Sequence, residues 1–257
     1  MSKAKVICLA QSKGGTAKTS SAVNIGACLV REGYKVLLVD LDPQANLTTS
    51  VGVEPSDLAR TNYELFTDHA TEASAILQPT AEGMDLLPSS IDLAVVERNI
   101  RDAIGREKIL ARKLTPLRAS YDYIICDTSP YFNLLTTNGM AAADYILIPV
   151  QPEPNCIRGL GQVYEQVVLV QENLNPQMQL LGVFIVMYDN RINGHQFLTA
   201  QVRENWEDYT FDTIIRRRSN ILQATAENRS VVQAQPTSDL AQDYIALTRE
   251  VVKRARQ

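Results

Sequence analysis

A glycine turn between an apolar run and a lysine-threonine pair constrains the fold more than any other part of this sequence. Residues 6–10 are Val-Ile-Cys-Leu-Ala, and residues 11–20 are Gln-Ser-Lys-Gly-Gly-Thr-Ala-Lys-Thr-Ser. A short buried strand, a glycine turn and a helix that opens on Lys18 and Thr19 form the layout of a phosphate-binding loop. In that layout backbone N–H groups wrap the phosphates, the Lys18 ammonium neutralises them, and the Thr19 hydroxyl binds Mg²⁺.

The loop departs from the strict pattern G-x-x-x-x-G-K-[ST] at two positions, because Ser12 and Ala17 stand where that pattern has glycine. Gly14 and Gly15 are then expected to turn the chain and to let its backbone approach a phosphate closely. For Ala17 two conformations are open. A left-handed backbone would cost an alanine roughly 1 kcal/mol, whereas helical dihedrals would cost it nothing.

A second lysine, Lys13, lies on the rising arm of the same loop. Its side chain need not fold back onto the phosphates bound by its own loop, which suggests that it serves a nucleotide bound in another subunit. The competing interpretation of the region is a glycine-rich turn with two solvated lysines.

Composition indicates one globular α/β domain, residues 1–257, with 45% hydrophobic and 21% charged residues. No apolar stretch approaches the roughly 20 residues that cross a bilayer, and residues 1–5 lead directly into the first strand, so we expect no signal peptide. The cysteines lie far apart and are expected to be buried thiols in a reducing compartment, which predicts a cytoplasmic location. They are Cys8, Cys28, Cys126 and Cys156.

Short apolar runs alternate with helical stretches along the chain, the pattern of βαβ units around a parallel sheet. We therefore predict a doubly wound α/β fold, with a mostly parallel sheet, helices on both faces, and the ligand at the carboxyl ends of the strands. The clearest helices are predicted at residues 19–31, ended by Gly33, and at 238–254. Strands are predicted at residues 6–10, 36–39, 123–126, 145–150 and 181–187, with weaker ones at 85–87 and 210–214.

Aspartates follow two of these strands at the edge where the phosphate loop lies. Asp40 and Asp42 come after strand 36–39, and period-two alternation directs both side chains to the same side. Two carboxylates there could order the water around Mg²⁺ or hold the attacking water, because phosphoryl transfer depends mainly on positioning and charge compensation. Asp127 closes strand 123–126 and would meet Mg²⁺ through water. The competing interpretation is a turn capped by aspartates.

At these residues the sequence resembles the deviant Walker-A ATPases of the ParA/MinD group, whose loop reads x-K-G-G-x-G-K-[ST], with Ala17 as the one departure. Residues 40–44 resemble the family's D-x-D-P-Q switch I, and residues 127–130 resemble its Walker-B turn, which precedes a leucine-rich switch II helix. The segments M-x-D-x-R at 187–191 and F-x-T-x-I at 211–215 follow in the family's order. The match is close to the short ParA/Soj ATPases, which have no N-terminal DNA-binding extension.

The resemblance implies a slow, partner-stimulated ATP hydrolase with ATP and Mg²⁺ as cofactors. It implies three catalytic residues: Lys18 on the phosphates, Lys13 on the partner's nucleotide, and Asp42 on the hydrolytic water. The expected metal-site residues are Thr19, Asp42 and Asp127. The expected nucleotide contacts are Lys13, Gly14, Gly15, Thr16, Ala17, Lys18, Thr19, Ser20 and Arg217.

The resemblance also implies partners: a second copy of the chain when ATP is bound, non-specific double-stranded DNA, and a ParB-like or adaptor protein that stimulates hydrolysis. The location implied is cytoplasmic and nucleoid-associated, with no membrane contact. The net charge is −4, yet residues 191–257 carry a net +2, so a local basic face is compatible with an acidic chain. The DNA-binding candidates are Arg191, Arg216, Arg217, Arg218, Arg249, Lys253, Arg254 and Arg256.

Two other functions stay open within the same superfamily. A MinD-like protein would dock on a membrane through an amphipathic C-terminal helix. The stripe Leu240, Tyr244, Leu247 and Val251 could form such a face, but it has no Phe or Trp anchor, so packing on the core is the favoured interpretation. A small-molecule ATP-dependent enzyme would share the loop, and its ATP turnover would depend on a substrate and not on DNA.

Overall fold

The computed structural model describes residues 4–256, except for the side chain of Asn220. Within this part of the chain, eight strands form one sheet. Residues 1–3, on which the expectation of no signal peptide partly rests, lie outside the described residues. The strands are β1 (Lys5–Leu9), β2 (Val36–Leu41), β3 (Gln78–Pro79), β4 (Asp85–Leu87), β5 (Tyr123–Thr128), β6 (Tyr145–Val150), β7 (Gln179–Tyr188) and β8 (Thr210–Arg216).

Helices occupy the connections between most of these strands and form the C-terminal segment. None of the described helices is both long enough and apolar enough to cross a membrane. The α-helices are α1 (Lys18–Arg31), α2 (Asn46–Ser50), α3 (Asn62–Thr67), α4 (Val96–Asn99), α5 (Ile109–Leu114), α6 (Leu134–Ala142), α7 (Pro154–Asn173), α8 (Asn193–Asn205), α9 (Asn220–Ala226), α10 (Val231–Ala234) and α11 (Asp239–Arg254). Short 3₁₀ helices lie at Pro55–Asp57, Ala73–Ile76, Ile91–Val95, Arg106–Lys108 and Thr115–Ala119.

The strand order is β3-β4-β2-β5-β1-β6-β7-β8. Neighbouring strands are parallel except for β3 and β4, which are antiparallel. The register brings the carboxyl ends of three central strands together, because Asp127 pairs with Leu9 on one side and with Asp40 on the other. The predicted fold class, a doubly wound and mostly parallel sheet, is confirmed.

Alternation along the strands divides the core between the two faces of the sheet. In β1, Val6 and Cys8 belong to an apolar cluster covered by α5, α6 and α7, whereas Ile7 and Leu9 belong to one covered by α1 and α11. Helices therefore cover both faces of the sheet and exclude water from them, which explains the continuous apolar runs seen in the sequence. The four cysteines are free and buried, as predicted.

Helix α11 packs its apolar stripe on the α1 side of the sheet. Leu240, Tyr244, Leu247 and Val251 are all buried there, as the packing interpretation expected. The helix runs from one end of the sheet to the other: its first residue, Asp239, pairs with a side chain at the carboxyl end of β8. At its far end, the carbonyl of Ala255 accepts a hydrogen bond from Lys5, at the start of β1.

Several element boundaries differ from the prediction. Strands β2 and β5 each continue two residues further, to Leu41 and Thr128, so Asp40 and Asp127 lie inside paired strands. The two-residue β3 and the short helices between residues 46 and 114 were not predicted, because such short segments show no sustained periodicity. Gly33 ends α1 with a φ of 89°, as predicted.

Candidate active site

The loop between β1 and α1 turns at Gly15 and Ala17. Gly15 has a φ of 74°, and Ala17, the residue before α1, has a φ of 58° and a ψ of 27°. Of the two conformations open for Ala17, the structure has the left-handed one, which costs an alanine roughly 1 kcal/mol. No side chain caps the start of α1, so the N–H groups of its first turn are available to an anion.

Lys18 is buried at the start of α1, with 6% of its surface exposed. Its Nζ donates to the carbonyl oxygens of Gln11, at 3.1 Å, and Lys13, at 3.5 Å. Burial lowers the pKa of Lys18, and the nearby charges of Asp127 and Asp42 oppose that shift. A phosphate could replace these carbonyl contacts with stronger charge-assisted hydrogen bonds.

Thr19 and Asp127 form the floor of the site. The Thr19 hydroxyl donates to Oδ2 of Asp127 at 2.6 Å, while Oδ1 of the same carboxylate is buried without a hydrogen-bond partner among the described residues. Burial raises the pKa of Asp127 to about 7, with the charge of Asp40 as a smaller cause. An orphaned carboxylate oxygen beside a threonine hydroxyl fits Mg²⁺, which prefers oxygen ligands.

The protein supplies only part of a metal site. Within residues 4–256, no group of three or more His, Cys, Asp or Glu side chains is placed to hold a metal ion. Mg²⁺ at Thr19 would therefore take its other ligands from nucleotide phosphates and water, which is its usual coordination in phosphoryl-transfer sites.

The expectation that Asp40 and Asp42 both face the site is corrected by the structure. Asp42 follows the end of β2 and lines the cavity beside the loop, with Oδ1 accepting from the Gln44 N–H at 3.0 Å. Asp40 is fully buried, and its carboxylate accepts from the Thr48 N–H, the Thr48 hydroxyl and the Asp42 N–H. Burial raises the pKa of Asp40 to about 6. The Asp40 carboxylate, which we expected at the site, thus accepts three hydrogen bonds from within the protein instead.

A cavity of about 710 Å³ opens at the carboxyl ends of β1, β2 and β5. Asp42 lines one wall, and residues 128–131, at the end of β5 and directly after it, line another. The volume is typical of a site for one small molecule. All of the predicted loop residues except Lys13 line it: Gly14, Gly15, Thr16, Ala17, Lys18, Thr19 and Ser20.

Lys13 is held outside this cavity within the single chain. Its Nζ lies 2.5 Å from Oε2 of Glu153, the residue before α7, and 3.4 Å from Oε1 of Gln151. Gln151 also donates to the carbonyl of Gly15 at 2.7 Å. The lysine that sequence reasoning singled out is therefore anchored to the start of α7.

A second cavity of about 860 Å³ adjoins the first, and the two share Ala17, Ser20, Met187 and Thr225. Arg217, predicted at the nucleotide, lines the second cavity and not the first. Two of the shared residues, Ala17 and Ser20, lie beside the phosphate loop. A ligand with its phosphate end in the first cavity and a bulky ring in the second would therefore fit the pair.

Two residues of the site received no role from the sequence. Met187, near the end of β7, lines both cavities with a φ of 55°, a conformation that costs a non-glycine residue free energy and is concentrated at functional sites. Gln151, directly after β6, joins the phosphate loop to Lys13. The available signal was position: both lie at the carboxyl ends of strands beside the loop.

The cations predicted to meet DNA are mostly paired with carboxylates in the single chain. Arg216 lies 2.7 Å from Asp243, and Arg191 lies 2.6 Å from Asp189 while its side chain stays 84% exposed. Such pairing reduces the charge that each arginine presents to a phosphate. The remaining pairs are Arg216 and Arg218 with Asp239, Arg249 with Glu32, and Arg254 with Glu250.

Arg254 is used inside the protein. Its guanidinium lies 4.0 Å from the centre of the Phe211 ring and donates to the carbonyls of Tyr209 and Thr210. By contrast, Arg217 and Lys253 are exposed, and within residues 4–256 neither forms an ion pair. Arg256 is exposed and donates to the hydroxyl of Tyr34.

Comparison with known proteins agrees with this geometry. Residues 4–180 match the AAA domain family. The chain is 37% identical to sporulation initiation inhibitor protein Soj of Bacillus subtilis, over 96% of this chain and 98% of that protein. It is 34% identical to chromosome partitioning protein ParA of Myxococcus xanthus, over 97% of this chain and 88% of that protein.

Solved structures show the same fold. Cobyrinic acid a,c-diamide synthase from Mycobacterium smegmatis, with bound ATP analog and magnesium, has a TM-score of 0.87 and 34% identity, covering 99% of this chain and 96% of that chain. The cell division ATPase MinD of Pyrococcus furiosus has a TM-score of 0.80 at 23% identity, covering 97% and 98%. The chain belongs to the AAA domain family and, within it, to the ParA/Soj-type ATP hydrolases of the ParA/MinD superfamily.

Proposed function

We propose that this chain is an ATP-dependent switch that dimerises with ATP bound, binds double-stranded DNA without sequence preference, and positions or segregates a cargo. The observation that carries the proposal is the place of Lys13. Its ammonium belongs to the phosphate loop but lies outside the cavity of that loop, against Glu153. This supports a role at the nucleotide of a second copy, so that pairing and nucleotide occupancy become linked.

In the proposed cycle, the loop N–H groups and Lys18 bind the β- and γ-phosphates of ATP. Mg²⁺, when bound, neutralises charge that develops on the phosphates. Asp127 orients the Thr19 hydroxyl for that ion through its 2.6 Å hydrogen bond. Asp42 holds the attacking water with Oδ2, because Oδ1 already accepts from Gln44.

DNA binding is proposed to use cations whose charge is exposed. Arg217 and Lys253 are the first candidates, and Arg191 is the third, since its side chain stays 84% exposed although it pairs with Asp189. Each contact with a phosphate adds a salt-dependent increment to the free energy of binding. A few cations on each protomer therefore give weak binding, and a dimer doubles the number of contacts. Arg254 leaves the set because it contacts Phe211 and backbone carbonyls.

The names of the relatives support the cellular role. Relatives at 34–37% identity are called Soj and chromosome partitioning protein ParA. We therefore infer a single ATPase domain over residues 1–257, a nucleoid-associated cytoplasmic location, and a ParB-like or adaptor partner that stimulates hydrolysis.

The Mycobacterium smegmatis structure favours a second candidate, because its name is that of a diamide synthase. A small-molecule enzyme of this kind would use the cavity pair for ATP and a carboxylic acid substrate. Its ATP turnover would depend on that substrate and would not respond to DNA.

One experiment separates the two candidates. The Asp42→Ala variant, saturated with MgATP, is analysed by light scattering after size exclusion and by fluorescence anisotropy with a duplex of random sequence. We expect a dimer that binds DNA only with ATP and more weakly as salt rises. A chain that stays monomeric under these conditions contradicts the switch. In the unmodified chain, ATP turnover that requires a carboxylic acid and does not respond to DNA favours the enzyme.

A further inference from the structure

A closed ring of hydrogen bonds surrounds the backbone of Asp42. Asp40 accepts from the Asp42 N–H with Oδ1, at 3.1 Å, and from the Thr48 hydroxyl with Oδ2, at 2.7 Å. The same hydroxyl accepts from the Ser89 N–H at 2.9 Å. The Ser89 hydroxyl then donates to the Asp42 carbonyl oxygen at 2.6 Å. The ring thus returns to the residue from which it started.

The ring is buried and joins three separate elements. Asp40, Thr48 and Ser89 have 0% of their surface exposed, and Asp42 has 9%. Asp40 belongs to β2, Thr48 to α2, and Ser89 to the segment after β4. A buried hydrogen-bond network whose members are satisfied is rigid, because no water replaces a bond that breaks.

We propose that Asp40, Thr48 and Ser89 are positioning residues that fix Asp42 for the hydrolysis of ATP. The ring holds the N–H and the carbonyl of Asp42, and the Gln44 N–H holds Oδ1 of its carboxylate at 3.0 Å. Within the described residues, Oδ2 is left without a hydrogen-bond partner, on a side chain that lines the cavity. This inference rests on the role proposed above for Asp42 at the attacking water.

The position of Asp42 in the chain shows why such support is needed. Strand β2 ends at Leu41, and α2 begins only at Asn46, after Ala45 in a left-handed conformation. Asp42 therefore lies just outside the strand, at the start of a turn in which its carbonyl also accepts from the Ala45 N–H at 2.9 Å. Phosphoryl transfer depends on placing the nucleophile, and displacing a catalytic group by about 1 Å can cost on the order of a hundredfold in rate.

The test replaces the central hydroxyl of the ring while keeping the volume of the side chain. Thr48→Val removes two ring bonds, Thr48→Ser keeps the hydroxyl, and Thr49→Val is the matched control. The Thr49 hydroxyl bonds only to the carbonyls of Ala45 and Asn46 and is exposed. We expect Thr48→Val to lower kcat by about tenfold or more. Its affinity for a fluorescent ATP analogue should stay within about twofold, and both other variants should keep most of the turnover.

A double-mutant cycle separates positioning from mere structural support. Residues that act through one another are non-additive, so Thr48→Val should cause no further loss of turnover in an Asp42→Ala background. A further loss there overturns the proposal, as does an equal loss in Thr48→Ser, or a normal kcat in Thr48→Val. If Thr48→Val does not fold, Ser89→Ala takes its place, because it removes only the bond to the Asp42 carbonyl.

The outcomes also distinguish this inference from the proposed function. Normal hydrolysis by Asp42→Ala alone would overturn the role proposed for Asp42 at the attacking water. The positioning role of the ring would then be overturned as well. A different outcome is slow hydrolysis by Asp42→Ala but normal hydrolysis by both Thr48→Val and Ser89→Ala. It would overturn the positioning role of the ring and leave the role of Asp42 intact.

Discussion

Lys13 and Glu153 form an ion pair within one chain, with Nζ 2.5 Å from Oε2. The hydrogen bond that Lys13 donates to the Glu153 carboxylate raises the pKa of Lys13, so the lysine keeps its charge. Both side chains are partly exposed, 37% for Lys13 and 50% for Glu153. If Lys13 serves the nucleotide of a second copy, it must first leave this pair, and the pair therefore competes with dimerisation.

The first prediction concerns that competition. An exposed ion pair contributes about 1 kcal/mol at most, and a dimer breaks one such pair in each protomer. Glu153→Gln should therefore tighten ATP-dependent dimerisation by up to about fivefold for each protomer, measured by sedimentation equilibrium with MgATP. Glu165→Gln, an exposed change in helix α7, which follows Glu153, is the control, and Lys13→Ala should weaken the dimer. A looser dimer in Glu153→Gln would mean that Glu153 itself contacts the second copy.

The second prediction concerns the left-handed alanine of the phosphate loop. Ala17→Gly removes a strain of roughly 1 kcal/mol, partly offset by the greater freedom of glycine in the unfolded chain. Urea denaturation without nucleotide should show a free energy of unfolding higher by a few tenths of a kcal/mol. Ala22→Gly, inside α1, should lower it. A lower value for Ala17→Gly would show that the methyl group contributes packing that outweighs its strain.

The third prediction concerns the DNA-binding cations. Replacing both Arg217 and Lys253 with glutamine should weaken DNA binding and flatten its dependence on salt, since each lost phosphate contact lowers the slope by about 0.9. Anisotropy titrations at several salt concentrations measure both effects. Arg254→Gln should instead lower stability, because its guanidinium contacts Phe211 and backbone carbonyls. An unchanged slope in the double variant would move the DNA surface elsewhere.

The fourth prediction concerns pH. Burial raises the pKa of Asp127 from 3.8 to about 7 in the folded chain, so the folded state holds a proton that the unfolded state has already released. The free energy of unfolding should therefore fall as pH rises through this range. Urea denaturation at pH 5 and pH 8, without nucleotide, should show a smaller fall in Asp127→Asn. An equal fall in both proteins would assign the effect to other groups.

Much of the fold followed from patterns that the sequence displays locally. The phosphate loop, the parallel sheet and the buried stripe of α11 were predicted because apolar periodicity and glycine placement determine them at short range. The hydrogen bonds of Asp40 were not predictable, since Thr48 donates to its carboxylate and Ser89 in turn donates to the Thr48 hydroxyl only through tertiary packing. Likewise, the sequence marks Arg216 as a cation but does not reveal that Asp243, 27 residues later, neutralises it.

The burial of every native thiol has a practical consequence for following this protein at work. A maleimide dye has no accessible native cysteine to react with, because Cys8, Cys28, Cys126 and Cys156 are all buried. A single cysteine introduced in place of the exposed Arg256, at the end of the sheet remote from the cavity, would therefore take up one fluorophore per chain. Energy transfer between donor- and acceptor-labelled chains would then report association and release in real time during nucleotide turnover.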